Sequence, residues 1–278
     1  MLSQGRSVWV TSGRWPADMG FSVLILGGTS EGRRLALRLA EDRRYRATLS
    51  FAGRTQNLVD PGVPHRVGGF GGVDGLVRYL RSESRGDTGQ SVLVDATHPF
   101  ARQMSVHAAR AAELSRIPIL RVEVPPWPAL PGDRWTVVLD LPAAVAALGA
   151  QPRRVFSSIG RLEVAAFQSA PQHDYLLRSI DAFDPGLPRA RVILDRGPFN
   201  VEAERALFER ERIEIVVSKN SGTAATYAKL VAARELRLPV VLVDRPALPQ
   251  IPTVRDVEAA LGWLAALHDA SEGTERGV

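Results

Sequence analysis

The sequence predicts an α/β protein of two domains, each a parallel sheet flanked by helices, and three observations predict it. The chain has 278 residues, about twice the ~150-residue size expected of one domain. Short β-branched runs alternate with amphipathic stretches along its length, the pattern of successive strand–helix–strand units. A proline-rich break, Pro125-Pro126-Trp127-Pro128 followed by Pro131-Gly132, interrupts the alternation near the middle, after which it restarts.

The first convincing strand covers residues 23–26, so residues 1–20 are read as an N-terminal extension. It runs through Gly27-Gly28-Thr29 into a helical pattern at 32–42. Strands at 47–51 and 65–67, a helix at 72–81, a strand at 91–94, a helix at 101–114 and a strand at 118–122 complete the first half. Prolines fix φ and remove backbone donors, so residues 124–134 read as a semi-rigid connector. Beyond it come strands at 135–139, 155–158, 175–178, 191–194, 213–217 and 240–243. Helices fall at 161–169, 201–212, 223–236 and 253–268. Each half is Rossmann-like: an N-terminal domain over 21–124, a C-terminal domain over 135–269, a ligand cleft between them, and a polar tail at 270–278 expected to be mobile.

Composition narrows the chemistry. At 45% hydrophobic and 23% charged the chain is globular rather than disordered or fibrous. It has no cysteine, which excludes disulfides, iron–sulfur clusters, thiolate zinc sites and a cysteine nucleophile; any redox chemistry needs an organic cofactor. The net charge is +5, and Lys219 and Lys229 are the two lysines, so the other 33 of the 35 basic residues are arginine. The arginines are scattered among acids with no basic stripe, which argues against a nucleic-acid partner and for a small anionic one. No run approaches ~18 apolar residues, and the first twenty lack the apolar core of a signal peptide. The expectation is a cytoplasmic protein with no membrane partner.

The candidate site residues stand at strand-to-helix turns. Gly27-Gly28-Thr29-Ser30-Glu31-Gly32 lies where a helix N-terminus attracts phosphate. The dinucleotide fingerprint asks for glycine at the positions of Gly27, Thr29 and Gly32, so two of three match. At the end of the next strand, where an NAD site carries an acid, stand Gly53 and Arg54. An arginine there pairs with a 2′-phosphate and points to NADPH, with a solvated surface arginine as the alternative. Gly68-Gly69-Phe70-Gly71-Gly72 reads as close approach of backbone to a ligand or as a flexible loop. In Asp95-Ala96-Thr97-His98-Pro99-Phe100, Thr97 is positioned to cap the following helix, and His98 is a proton donor, a ligand contact or a structural histidine. The remaining histidines share no metal-ligand spacing with His98, so no metal is expected. In the second half, Ser157-Ser158-Ile159-Gly160-Arg161, Asp195-Arg196-Gly197-Pro198-Phe199 and Ser218-Lys219-Asn220-Ser221-Gly222-Thr223 are further turns of this type. Lys229 lies on the helix after the last, read either as functional or as an exposed helix face. There is no Gly-x-Ser-x-Gly elbow and no full phosphate loop ending in Gly-Lys-Ser/Thr, against a triad hydrolase or an NTPase.

Together these segments resemble the precorrin-6A reductase family of cobalamin biosynthesis. The resemblance rests on residues 25–32, 67–72 and 94–101, on Arg196-Gly197-Pro198-Phe199, on Val217 to Gly222 and on Arg245-Pro246. It spans about residues 21 to 249 and departs at Thr223, where a second glycine is expected. The resemblance implies a two-domain NADPH-dependent reductase that transfers a hydride to a double bond of the octacarboxylate tetrapyrrole precorrin-6A, giving precorrin-6B. On that footing Gly27, Gly28, Thr29 and Ser30 cradle the pyrophosphate, Arg54 meets the 2′-phosphate, and Thr97 and His98 line the nicotinamide end. Arg196, Lys219 and Ser221 bind substrate carboxylates or pyrophosphate, and His98, Lys219 or bulk water supplies the proton. The alternatives are an NADPH-dependent reductase of another anionic substrate and a non-catalytic nucleotide-binding module.

Overall fold

A computed structural model describes residues 8–10, 21–52, 60–83 and 91–275. The chain divides into two compact units, 1–125 with 247–278, and 126–246.

Unit 1 holds β1 (Val8–Val10), β2 (Phe21–Leu26), α1 (Ser30–Ala40), β3 (Tyr45–Phe51), β4 (His65–Val67), α2 (Gly72–Glu83), β5 (Ser91–Asp95), α3 (Arg102–Ser115) and β6 (Ile119–Val122). Its sheet order is β1-β4-β3-β2-β5-β6 followed by a strand from the end of the chain, and all pairs are parallel except β1 with β4. The strands alternate as the period of two requires. Val23 and Ile25 pack to one face with Leu35 and Leu39 of α1, while Leu24 and Leu26 pack to the other with Leu76 and Leu80 of α2. Ala108, Ala111 and Ala112 give α3 a small-residue face in that second core.

Unit 2 holds β7 (Trp135–Val138), α4 (Leu141–Ala147), β8 (Arg154–Ser157), a 3₁₀ segment (Arg161–Ser169), β9 (Asp174–Ser179), β10 (Ala190–Leu194), α5 (Val201–Arg210), β11 (Ile215–Lys219), a 3₁₀ turn (Ala224–Thr226), α6 (Ala228–Glu235) and β12 (Val240–Val243). Its sheet is parallel throughout, in the order β10-β9-β8-β11-β12-β7. Phe156, Val216 and Leu242 pack under Leu207 and Phe208 of α5 and Leu230 of α6.

Five expectations need correction. The C-terminal segment does not continue the second domain: β13 (Thr253–Val254) pairs with β6 and α7 (Val257–Glu275) joins the core of unit 1. Val257, Ala260 and Leu264 form an apolar stripe that covers the sheet face beside α1, a face α2 and α3 leave bare. The helix starts after Asp256, whose Oδ1 accepts from the Ala259 N–H (2.8 Å), not at Thr253. It continues to Glu275, through most of the tail expected to be mobile. Within the expected N-terminal extension, Val8–Val10 is a strand that closes the β4 edge. The expected connector at 124–134 is largely part of the second unit, because residues 126–134 belong to it. There the buried Trp127 donates its backbone N–H to Asn220 Oδ1 (2.8 Å).

Candidate active site

In unit 1 the six strands β4-β3-β2-β5-β6-β13, taken in chain order, run 3-2-1-4-5-6. The order reverses between β2 and β5, and the crevice outside the carboxyl ends of those strands is where such sheets bind ligands. Leu26 and Asp95, the last residues of the two strands, lie in register. A cleft of about 430 Å³ opens beside them, and all its lining residues belong to unit 1. Gly27, Gly28, Thr97 and His98 line it, with Ser50 and Phe51 at the end of β3, the loop from Gly68 to Gly72, and Gln103, Met104 and His107 of α3.

The β2–α1 turn is tight for stated reasons. A Cβ on Gly28 would lie 2.7 Å from the backbone nitrogen of His98, and one on Gly32 would lie 2.9 Å from the Ala96 Cβ. Only hydrogen at these positions lets the turn and α1 press against the β5 loop. Thr29, which breaks the glycine fingerprint, is the N-cap of α1: its Oγ1 accepts from the Gly32 N–H (3.2 Å) and donates to the Ala96 carbonyl (3.0 Å). That hydroxyl is committed, so Thr29 can offer a phosphate only its main chain. Ser30 Oγ donates to Glu31 Oε2 (3.0 Å).

Asp95, 1% exposed, anchors the β5 loop. Its Oδ1 accepts from the backbone N–H (3.2 Å) and hydroxyl (2.7 Å) of Thr97, and its Oδ2 from Arg121 Nε (3.3 Å). Arg121 Nη1 reaches on to the Pro249 carbonyl (3.0 Å), so the returning C-terminal segment is tied to the loop. Thr97 does not cap the next helix. With its hydroxyl on Asp95, α3 begins at Arg102 with Ala101 at the N-cap and no side-chain cap. His98 Nδ1 accepts from the Phe100 N–H (3.3 Å), an arrangement that keeps the neutral ring's proton on Nε2. Arg54 lies outside the described residues.

In unit 2, β8 and β11 flank the point where the strand order reverses. Lys219, at the end of β11, forms an ion pair with Glu163 in the helical segment after β8. The loop behind Lys219 is held from below: Arg245 donates from Nε to the Asn220 carbonyl (2.9 Å) and from Nη2 to the Ser221 carbonyl (3.0 Å). Ser221 Oγ shares a hydroxyl network with Thr226 (3.2 Å) and, through it, Thr223. Arg196 is exposed on the loop after β10, an edge strand, apart from that turn in the sheet order.

Lys229 is not on an exposed face; it is 5% exposed. Its Nζ donates to the Thr226 carbonyl (2.7 Å) and lies 5.2 Å from the Trp127 ring centroid. Burial lowers its pKa to about 7, against the pull of Glu204 and with the push of Arg178. The sequence carried a signal, since Ala232 and Ala233, three and four residues on, belong to a buried face. Asp95, Arg121 and Glu163 were missed as well, because each acts through a partner distant in sequence. Among the described residues no cluster of three or more His, Asp or Glu could hold a metal ion, and no helix is long and apolar enough to cross a membrane.

A six-strand core of this order, with a glycine turn and a cleft at its reversal point, defines the doubly wound, Rossmann-like class of α/β proteins. Comparison with known proteins gives the particular family. Residues 22–265 match the precorrin-6x reductase CbiJ/CobK family, and the chain belongs to it. It is 49% identical over 258 residues to the precorrin-6A reductase of Rhodobacter capsulatus, covering 92% of this chain and 99% of that one. The precorrin-6A reductase of a Sinorhizobium species is 46% identical, with 87% and 94% covered. A solved structure, CobK precorrin-6A reductase, superposes with a TM-score of 0.83 at 47% identity, over 89% of this chain and 97% of that one.

Proposed function

We propose that the chain reduces one double bond of precorrin-6A, giving precorrin-6B in cobalamin biosynthesis, with NADPH as reductant. The observation that supports this most is family membership across both units, with relatives named for that reaction matched over nearly their full length. The NADPH part is further supported by the cradle at the reversal point, where a side chain on Gly28 would fill the space against His98. A cytoplasmic location, with no nucleic-acid or membrane partner, belongs to the same reading.

Bound NADPH supplies the hydride; the chain supplies binding, orientation and a proton. Gly27 and Gly28, with the main chain of Thr29 and Ser30 at the N-terminus of α1, take the pyrophosphate. Arg54 takes the 2′-phosphate. Thr97, held by Asp95, and His98 line the nicotinamide end. A protonated His98 can give a proton to the macrocycle and return to the neutral ring, and Lys219 is the second candidate donor. Lys219, Ser221 and Arg196 bind substrate carboxylates. Exposed Leu162, Ile180 and Leu194 follow or end β8, β9 and β10, with Arg161 next to Leu162 and Arg196 two residues after Leu194. An edge that is both apolar and cationic suits a flat ring system bordered by carboxylates.

The test is the loss of NADPH absorbance when purified protein meets precorrin-6A. Turnover is expected with NADPH and far slower with NADH, and a protein that binds NADPH but never consumes it would be a binding module. His98→Ala should lower kcat about 10²-fold or more if His98 gives the proton. An unchanged maximal rate at saturating substrate removes it as the acid.

A further inference from the structure

Arg66, in β4, is 3% exposed. Its Nη1 donates to Ser50 Oγ (2.8 Å) and to the Gly68 carbonyl (2.9 Å), and its Nη2 donates to the Gly69 carbonyl (3.2 Å). The guanidinium stacks 3.9 Å from the Phe70 ring centroid, with Tyr79 at 5.4 Å. All these partners are neutral and Nε has none. Burial pulls its pKa below the usual arginine value, and no carboxylate opposes that shift. Buried arginines are ordinarily paired with acids. Among the described residues this one is not, and its charge stands uncancelled behind the glycine loop.

Peptide geometry turns that charge into a presented surface. In a trans peptide the carbonyl and the next N–H point in opposite directions. Fixing the Gly68 and Gly69 carbonyls on the guanidinium therefore aims the N–H groups of Gly69 and Phe70 away from it. Gly68, Gly69 and Phe70 line the cleft and Arg66 does not, so the cleft is the side they face. β4 lies two strands from β2 and one from β3, about 10 Å and 5 Å at the usual strand spacing. An anion on this loop is thus separate from a pyrophosphate at α1, and lies next to the strand end that meets the adenosine ribose in this fold.

We propose that Arg66 is a positioning residue for cofactor choice: it presents the Gly69 and Phe70 N–H groups to the phosphate on the adenosine ribose, and so favours NADPH over NADH without touching either. The proposal rests on the NADPH reading. The experiment is fluorescence titration of wild type, Arg66→Met and Arg66→Lys with NADPH and with NADH, each variant also melted thermally.

Loss of one charge-assisted contact corresponds to about 10- to 100-fold in affinity. Arg66→Met should weaken NADPH by that much while NADH stays within about threefold, and Arg66→Lys, which keeps the charge but not the fork, should fall between. Equal weakening of both nucleotides makes Arg66 merely structural and overturns the proposal, as does an unchanged ratio. A wild type that binds both alike overturns it while the reductase reading stands. One that binds neither defeats the cofactor reading before any variant is made. If Arg66→Met does not fold, Ser50→Ala, which removes one anchor of the guanidinium, should lower the NADPH preference a few-fold, and an unchanged preference counts against the proposal.

Discussion

At the carboxyl ends of its strands, unit 1 presents main chain. Gly27, Gly28 and the loop from Gly68 to Gly72 line its cleft, and three charged residues there, Arg66, Asp95 and Arg121, are buried behind the loops they hold. Unit 2 presents side chains at the corresponding place: Lys219 paired with Glu163, Arg196 exposed, and apolar groups beside them. Both sheets are doubly wound with a reversal point, so topology decides where a ligand sits, and residue chemistry decides which. Backbone amides suit a phosphate that must come close; cationic and apolar side chains suit a larger anion that brings its own carboxylates.

If the ion pair behind unit 1's cleft is architectural and the one at unit 2's strand ends is not, breaking each should cost very different amounts. Asp95→Ala leaves Arg121 buried and unpaired and should lower stability by about 3–5 kcal/mol. Glu163→Ala breaks a part-exposed pair and should cost less than about 1 kcal/mol. Urea unfolding of both variants measures the contrast, and similar losses would break it.

The glycines give a second, smaller contrast. Gly28→Ala puts a methyl 2.7 Å from a backbone nitrogen and should cost about 1–3 kcal/mol, with weakened nucleotide binding. Gly160, at the equivalent strand-to-helix turn of unit 2, has φ −62° and would place a Cβ no nearer than 3.7 Å to Glu163 Oε2. Gly160→Ala should stay within about 0.5 kcal/mol of wild type. Nucleotide titration beside the urea curves distinguishes a lost binding site from a lost fold.

How much of this was legible follows from how local each signal is. The strands 65–67 and 240–243 were read to the residue, and the glycine turn at 27–32 was found, because a β-branched run, a turn and an amphipathic stretch lie together in sequence. A two-residue strand such as β13 has no period to detect, and α4 is seven residues long. The expected start of α7 at residue 253 misses Asp256 as the N-cap, and no local pattern says that the helix returns to the first sheet. That follows from which face is left uncovered. The site divides the same way. The turns that carry Gly28 and His98 were legible as turns, whereas Asp95 with Arg121, Lys219 with Glu163 and Arg66 with Ser50 are pairs made by folding.

The last contrast lies between two of the buried cations, Arg66 and Lys229. Arg66 cannot shed its proton in any ordinary pH range, so the positive charge behind the glycine loop is permanent. Lys229 can shed its own: its pKa is lowered from 10.5 to about 7 by burial against Trp127, with Glu204 opposing and Arg178 reinforcing the shift. Below about pH 7 both folded and unfolded chains hold the proton, and the full cost of a buried ammonium is present. Between about 7 and 10.5 the unfolded chain binds more protons than the folded one, so stability rises with pH, by at most about 1.4 kcal/mol per unit. The cost is relieved above the unfolded value. Urea unfolding followed by tryptophan fluorescence should show that rise in wild type and its loss in Lys229→Met, which keeps the buried stem without the amine. Arg66→Met should leave the slope intact. A slope that survives Lys229→Met would mean that Lys229 is not the titrating group, and that its charge is as fixed as that of Arg66.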